Sequence, residues 1–354
     1  MNPSKILYVG PVKQGNTCYS RYLALKSMTD NVVIFDTNIY FGSLTKWPWF
    51  FEKMIFFGPI FSQINATLIE VCQKEKPDIV WIDKGYWVWP ATLLKLKKTG
   101  LFLAHHNTDT LYPKKWTYRW AYGLLRKSKT LYDVYFTTNL SDYRFLKKEG
   151  LPVELSGNAY DRDRFNAIPL SEEDAKFWAT DLLFIGHHEP RTEAGIISLI
   201  EVGLSVKVYG ADWNKSKNKE KLAASVAFRP LSDNDYEKAL KGAKIGLCFF
   251  SEMNKSQTSG RSFEITASGT FLLAMRSEQH LECFVEGKEA EFFGNPSELV
   301  RKARYYLEYE KERQEIANKG HERCMKSDYS WTRYMREDWE KTMTAWKKKH
   351  HDHY

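Results

Sequence analysis

The sequence predicts an α/β protein made of two doubly wound parallel-sheet domains. Three observations carry this. Short apolar runs alternate with helical stretches, and that rhythm stops once and restarts. Strands separated by helices favour parallel pairing, because a parallel neighbour needs a crossover connection. The length, 354 residues, exceeds one ordinary domain and suits two of about 150 residues each.

Lys5 to Val9 (KILYV) opens the first half as a short apolar strand, followed by the turn Gly10–Gly15 and a helix near Tyr19–Met28. Such uninterrupted apolar runs suit strands covered on both faces. The GxxxxG of this turn lacks the Lys-Ser/Thr that completes a phosphate-binding loop, so it points to no particular nucleotide. Strands follow at 31–36, 77–83, 101–105 and 134–138, with helices at 60–74 and 91–98 between them. The second half repeats the rhythm: strands at 181–185, 205–209 and 245–249, with a helix at 194–201. Helices near 296–309, 310–326 and 331–349 finish the chain.

Composition narrows the class. The chain is 43% hydrophobic and 27% charged, enough for each half to bury a core. It has no uncharged apolar run of membrane-spanning length, and Met1–Lys5 leads straight into a strand, unlike a signal peptide. Five scattered cysteines without a CxxC pair read as reduced thiols rather than a zinc site. A cytoplasmic protein is expected. The net charge of +8 suits anionic partners such as phosphorylated donors, acidic glycans or lipid headgroups. No nucleic-acid reader motif accompanies that charge, so nucleic acid is not an expected partner.

Thr258 to Ala274 carries the densest chemistry. Thr258, Ser259 and Ser262 are cap residues, Gly269 stands where a short helix would close, and Thr270–Ala274 is a buried strand. A helix start offers unpaired N–H groups and a positive dipole end to an anion. Arg261 adds a planar fork for phosphate oxygens, and Glu264 is a carboxylate able to accept from ribose hydroxyls.

Glu264-Ile-Thr-Ala-Ser-Gly269 resembles the Glu-Ala-Met-Ala-x-Gly helix of GT-B glycosyltransferases. Arg261-x-Phe263-Glu264, followed by Ala267-Ser-Gly269 and an apolar strand, is similar to the CgeB-like (spore-maturation-type) members. Ser256 stands where many of those relatives carry another Glu. Leu155–Phe165 resembles the segment where GT-B chains leave their first domain. Tyr209-Gly210 with Trp213, Phe284–Glu289 and Glu310–Lys326 also match CgeB-like features. The resemblance is specific from about Asp181 to Tyr334 and topological before that.

It implies a GT-B fold, with two Rossmann-like domains facing a central cleft. The implied organisation is an acceptor-side domain at 1–158, a linker at 159–176, a nucleotide-sugar domain at 177–329, and a helix at 330–354 that crosses back to the first domain. Glu264 would hold the nucleotide ribose, and Thr258, Ser259 and Arg261 would face the diphosphate. Gly186 and Arg191, at the end of a strand-turn-helix, would serve the same diphosphate by close backbone approach and by charge. Tyr209 and Gly210 would line the donor site.

On the acceptor side, His106 and Asp109 follow a strand at its carboxyl end, where either would orient or deprotonate a hydroxyl. His105 reads as a core histidine. Adjacent side chains diverge on a strand, so the histidine pair suggests no shared metal. Gly15, Trp87 and Trp89 are further acceptor-side candidates, the tryptophans by stacking on sugar rings. Trp47–Phe61 packs seven aromatics into fifteen residues and, with the basic run Arg126–Lys129, suggests peripheral contact with an anionic membrane.

The expected activity is sugar transfer from a nucleotide-diphosphate donor to a hydroxyl of a glycan, lipid-linked or protein acceptor, without a metal or other cofactor. A sugar-nucleotide epimerase of the same fold, or a non-catalytic protein binding nucleotide sugars or other anions, are the alternatives.

Overall fold

A computed structural model describes residues 5–41, 56–113, 122–231, 233–252, 254 and 256–351. The chain forms two compact units. The first runs to Gly157 and takes in the segment from Trp331 onward, while the second holds Asn158–Glu252 and Gln257–Ser330; Asn254 and Ser256 count with the first.

The first unit contains β1 (Ile6–Gly10), β2 (Val32–Asp36), β3 (Ile79–Asp83), β4 (Phe102–Asn107), β5 (Val134–Thr137) and β6 (Val153–Leu155). They form one parallel sheet in the order β2-β1-β3-β4-β5-β6. The second unit contains β7 (Thr180–Ile185), β8 (Val206–Tyr209), β9 (Ala243–Cys248), β10 (Phe271–Met275) and β11 (Glu291–Phe293). Its parallel order is β11-β10-β9-β7-β8. Each sheet has one point where the strand order reverses, between β1 and β3 and between β7 and β9. Crevices for ligands open outside the carboxyl ends of strands at such points.

Central strands are covered on both faces: β1, β3 and β4 are buried along their whole length, apolar except for Asp83, His105, His106 and Asn107 at the carboxyl ends of β3 and β4. The cores reflect this, with Leu7, Val9, Val80, Ile82 and Leu103 in the first and Leu182, Phe184, Ile245, Leu247 and Leu273 in the second.

The structure redraws one boundary. Residues 159–176 belong to the second unit rather than to a separate linker: Tyr160 bridges to Ser330, and the helix Glu172–Trp178 packs on the helix Asp233–Gly242. The final helix, Trp331–His351, packs on the helix Thr17–Lys26 inside the first unit. Ser156 donates to Asp338 of that helix at 2.8 Å, and Lys349 reaches Asp133 at 3.1 Å.

Among the described residues no helix is long and apolar enough to cross a membrane. Of the aromatic segment Trp47–Phe61, the residues Trp47, Trp49, Phe50 and Phe51 lie outside the described residues. Phe61 is a core residue, and Phe57 is exposed and stacked on Trp89. The basic run is largely used internally. Arg126 donates to the Leu111 carbonyl at 2.8 Å, Lys129 pairs with Glu149, and Lys127 is exposed.

Candidate functional site

In the second unit, the sequence candidates gather at the carboxyl ends of β7, β8 and β9. The helix Gly260–Ala267 begins after the loop that follows β9, with Ser259 as its N-cap. Beneath that N-terminus lies a buried polar relay. His280 uses Nδ1 on the Met275 carbonyl and Nε2 on the Ser262 hydroxyl, each at 2.8 Å. Burial holds His280 down to about 4, so its ring is neutral and Nε2 accepts from Ser262. Ser262 Oγ in turn caps the Ser259 amide at 3.4 Å. The relay fixes the first turn of the helix that presents Arg261 and Glu264.

Glu264 is half-buried. Its Oε2 accepts from the Tyr236 hydroxyl at 2.6 Å, while Oε1 makes no hydrogen bond among the described residues. That oxygen lies beside Gly260, where an added Cβ would stand 3.4 Å away. Burial raises the Glu264 carboxyl above its ordinary value, opposed by the Tyr236 hydrogen bond and the Arg261 charge. A carboxylate with one oxygen anchored and the other open is suited to accepting from a diol. Arg261 lies over the Phe184 ring at 5.3 Å, with its Nε unpaired among the described residues.

Gly186 is held to glycine by its neighbours. A Cβ there would fall 2.6 Å from the Phe184 ring and 3.3 Å from Arg261 Nη2, so the glycine clears room for the arginine and its platform. Gly210 is constrained too: at φ 148° its added Cβ would sit 1.9 Å from the Gly186 carbonyl. Gly186 N–H donates to the Tyr209 carbonyl at 2.8 Å and Trp213 Nε1 donates to the Gly186 carbonyl at 2.9 Å, locking the two loops together. Tyr209 is half-buried, with Arg229 over its ring at 5.9 Å.

Arg191 is exposed and donates to the Phe250 carbonyl at 3.0 Å, which ties the β7 and β9 loops. Thr258 is buried and accepts from Asn158 through both its carbonyl and its hydroxyl at 3.1 Å. It anchors the loop rather than facing a ligand. Tyr236, absent from the sequence candidates, completes the cluster. It sits on the Asp233–Gly242 helix, whose sequence has no motif to single it out.

The first unit's candidates separate. His106 is fully buried, ringed by Phe136 and Trp331, with its Nε2 3.6 Å from Asp338. Burial, with the Arg21 charge adding to it, lowers His106 to about 3. It is a core imidazole, and the expectation that it meets an acceptor hydroxyl is corrected. His105 is buried on the opposite face against Tyr132 and Tyr135. Trp87 is also core, edge-on to Phe41 at 4.9 Å, so it does not stack on a sugar. Trp89 is half-buried, and its indole donates to the Phe56 carbonyl at 2.9 Å. Gly15 lies in the turn before the first helix at φ 87°.

Asp109 stays partly open at the carboxyl end of β4. One oxygen accepts from the Tyr86 hydroxyl, and the other from Asn254 Nδ2 at 2.7 Å. Among the described residues no group of three or more His, Cys, Asp or Glu is placed to hold a metal ion.

Residues 191–337 match the family described as Glycosyl transferase-like. The fold is similar to Anabaena Alr3699/HepE, solved in complex with UDP and glucose, at TM-score 0.68 and 11% identity over 95% of this chain and 98% of that one. It is similar to sucrose-phosphate synthase from Thermosynechococcus elongatus at TM-score 0.69 and 10% identity, again over 95% and 98%. A UDP-N-acetylglucosamine 2-epimerase matches at TM-score 0.60 and 14% identity, over 95% of this chain and 94% of that one. No curated protein matches the sequence. The fold is therefore that of the GT-B class, two parallel-sheet α/β units. Nothing in these likenesses is particular to the CgeB-like branch.

Proposed function

We propose that the protein is a glycosyltransferase using a nucleotide-diphosphate sugar. The observation that carries this is Glu264: a half-buried carboxylate fixed by Tyr236, with its second oxygen open and Arg261 one position into the same helix. In this reading Glu264 accepts from the ribose hydroxyls, and Arg261 with the helix N-terminus meets the diphosphate. Transfer forms a bond from the acceptor oxygen to the anomeric carbon and breaks the bond from that carbon to the phosphate oxygen, which keeps the electron pair. The acceptor's proton passes to a base, for which Asp109 is the partly open carboxylate at the carboxyl end of the first sheet. Arg261 and the helix N-terminus would stabilise the departing diphosphate without a divalent ion. UDP is the first nucleotide to try, since structural neighbours were solved with it.

Calorimetry with UDP, in EDTA, tests this reading. Wild type should bind, and Glu264→Ala should lose roughly 2–4 kcal/mol of binding through two charge-assisted hydrogen bonds, with unchanged melting. Equal UDP affinity in the two proteins would remove Glu264 from the site. Binding that appears only with added manganese would overturn the metal-free part.

The epimerase neighbours favour a second reading, in which the donor alone is the substrate. Incubating UDP-N-acetylglucosamine with the protein and no acceptor separates the two, since only an epimerase would give a second sugar signal by NMR.

A further inference from the structure

The first unit holds a cation that nothing so far employs. Lys84 directly follows β3, at the reversal point of the first sheet, and is half-buried. Its backbone is left-handed at φ 66°, and Gly85 follows at φ 60°. A Cβ at Gly85 would lie 2.5 Å from Ile82 Cγ2, so the position is held to glycine. The Lys84 amide donates to the His106 carbonyl at 2.9 Å, which fixes the turn across the end of β4. Left-handed backbone costs a non-glycine residue about 1 kcal/mol or more, and Asn or Gly would adopt it more cheaply.

The neighbouring charges are spoken for. Arg21 and Asp83 pair with each other at 2.7 Å, fully buried. Asp109 gives one oxygen to Tyr86 and the other to Asn254. Lys84 makes no side-chain hydrogen bond or ion pair among the described residues. Burial works against its charge, and the field of Asp109 more than restores it, so the ammonium stays ionised. Among the described residues, the three donors of this half-buried cation thus have no acceptor, although Asp109 is close enough for its field to act on it.

We propose that Lys84 binds an oxyanion on the acceptor, so that the first unit takes an acidic sugar, carrying a carboxylate or a phosphate, in preference to a neutral one. This deepens the glycosyltransferase reading and rests on it for the word acceptor. The binding itself can be measured without turnover.

NMR titrations with glucuronate, glucose 6-phosphate and glucose provide the test, using wild type, Lys84→Gln and Lys84→Arg. A hydrogen bond to a charged group is worth about 10- to 100-fold in affinity. Wild type should therefore prefer at least one acidic sugar over glucose by about tenfold. Lys84→Gln should abolish the preference, Lys84→Arg should restore part of it, and UDP affinity should be unchanged in both. Preference for one acid over the other identifies carboxylate or phosphate as the group held. A wild type with no preference, or a preference that survives in a folded Lys84→Gln, overturns the proposal. So does a parallel loss of UDP affinity, which would make Lys84 a donor residue. If Lys84→Gln does not fold, loss of the preference in wild type on acetylating Lys84, located by mass spectrometry, supports the assignment, and its survival refutes it. Absence of UDP binding to the wild type would sink the glycosyltransferase reading while leaving the acid preference standing.

Discussion

The two sheets reverse strand order at equivalent points, yet they treat those points in opposite ways. At the end of β3 in the first unit, Asp83 and Arg21 form a bidentate pair at 2.7 and 2.8 Å, joined by the Tyr8 hydroxyl, with no exposure at all. Burial alone would raise Asp83, but the guanidinium beside it holds it down to about 2. At the equivalent end in the second unit, Arg261 and Glu264 are half-buried and keep atoms without partners. Strand order makes the crevice; local sequence decides whether the protein fills it or leaves it for a ligand. In the first unit the arginine lies on a helix that the Trp331–His351 helix covers, with Arg21 over Trp331 at 4.6 Å. In the second, Gly186 makes room for Arg261 against the Phe184 ring, and Gly210 passes against the Gly186 carbonyl.

If the contrast is correct, removing each arginine should break a different property. Arg21→Ala leaves Asp83 buried and uncompensated and should cost about 3–5 kcal/mol of stability in urea unfolding. The double change Arg21→Met with Asp83→Leu should recover most of that loss, because a buried pair can be replaced by apolar packing. A loss below about 1 kcal/mol in Arg21→Ala would mean that water reaches the pair.

Arg261→Ala should leave the urea midpoint nearly unchanged and weaken UDP by about 1.5–3 kcal/mol, the worth of a hydrogen bond to a charged group. A large fall in stability with UDP affinity retained would make Arg261 the structural counterpart of Arg21 and erase the contrast.

The smallest expected effect is a slope with pH. Burial raises Asp338 from 3.8 to about 8, while the Ser156 hydrogen bond opposes the shift. Between pH 6.5 and 8 the folded state holds a proton that the unfolded chain has lost, so stability falls as pH rises, by about 1.4 kcal/mol per unit. Burial lowers His105 and His106 to about 3 and His280 to about 4. Below pH 6.5 the unfolded chain therefore takes up protons that these folded rings refuse. Their sum outweighs the opposite contribution of Asp338, and stability falls as pH drops toward 4. Melting should peak near pH 6.5, and Asp338→Asn, which mimics the protonated acid, should flatten the alkaline arm. An alkaline arm unchanged in that variant would place the proton elsewhere.

The sequence exposes those features that are local. Central strands read clearly because a strand covered on both faces is an unbroken apolar run. β6 and β11 do not, being three residues long with a glutamate in each. The Gly260–Ala267 helix is legible because caps and the closing glycine are neighbours in sequence. Tyr236 is invisible because its role arises from a crossover that brings one helix beside another. His106 misleads for a related reason. Alternation assigns it a face of β4, but nothing local reveals that a helix from 225 residues later, carrying Trp331 and Asp338, will cover that face. Trp87 fails as a sugar platform in the same way, since Phe41 closes over it.

The return of the Trp331–His351 helix to the first unit also has a consequence for synthesis. On the ribosome, β1 to β6 emerge long before the residues that complete their packing, and the whole second unit is made in between. Until then Arg21 lacks Trp331, and Ser156 lacks Asp338. The second unit, continuous except for Asn254 and Ser256, has no such wait. It is the half expected to reach its native state first, with the amino-terminal half held back until translation has passed residue 346, whose tryptophan is buried there.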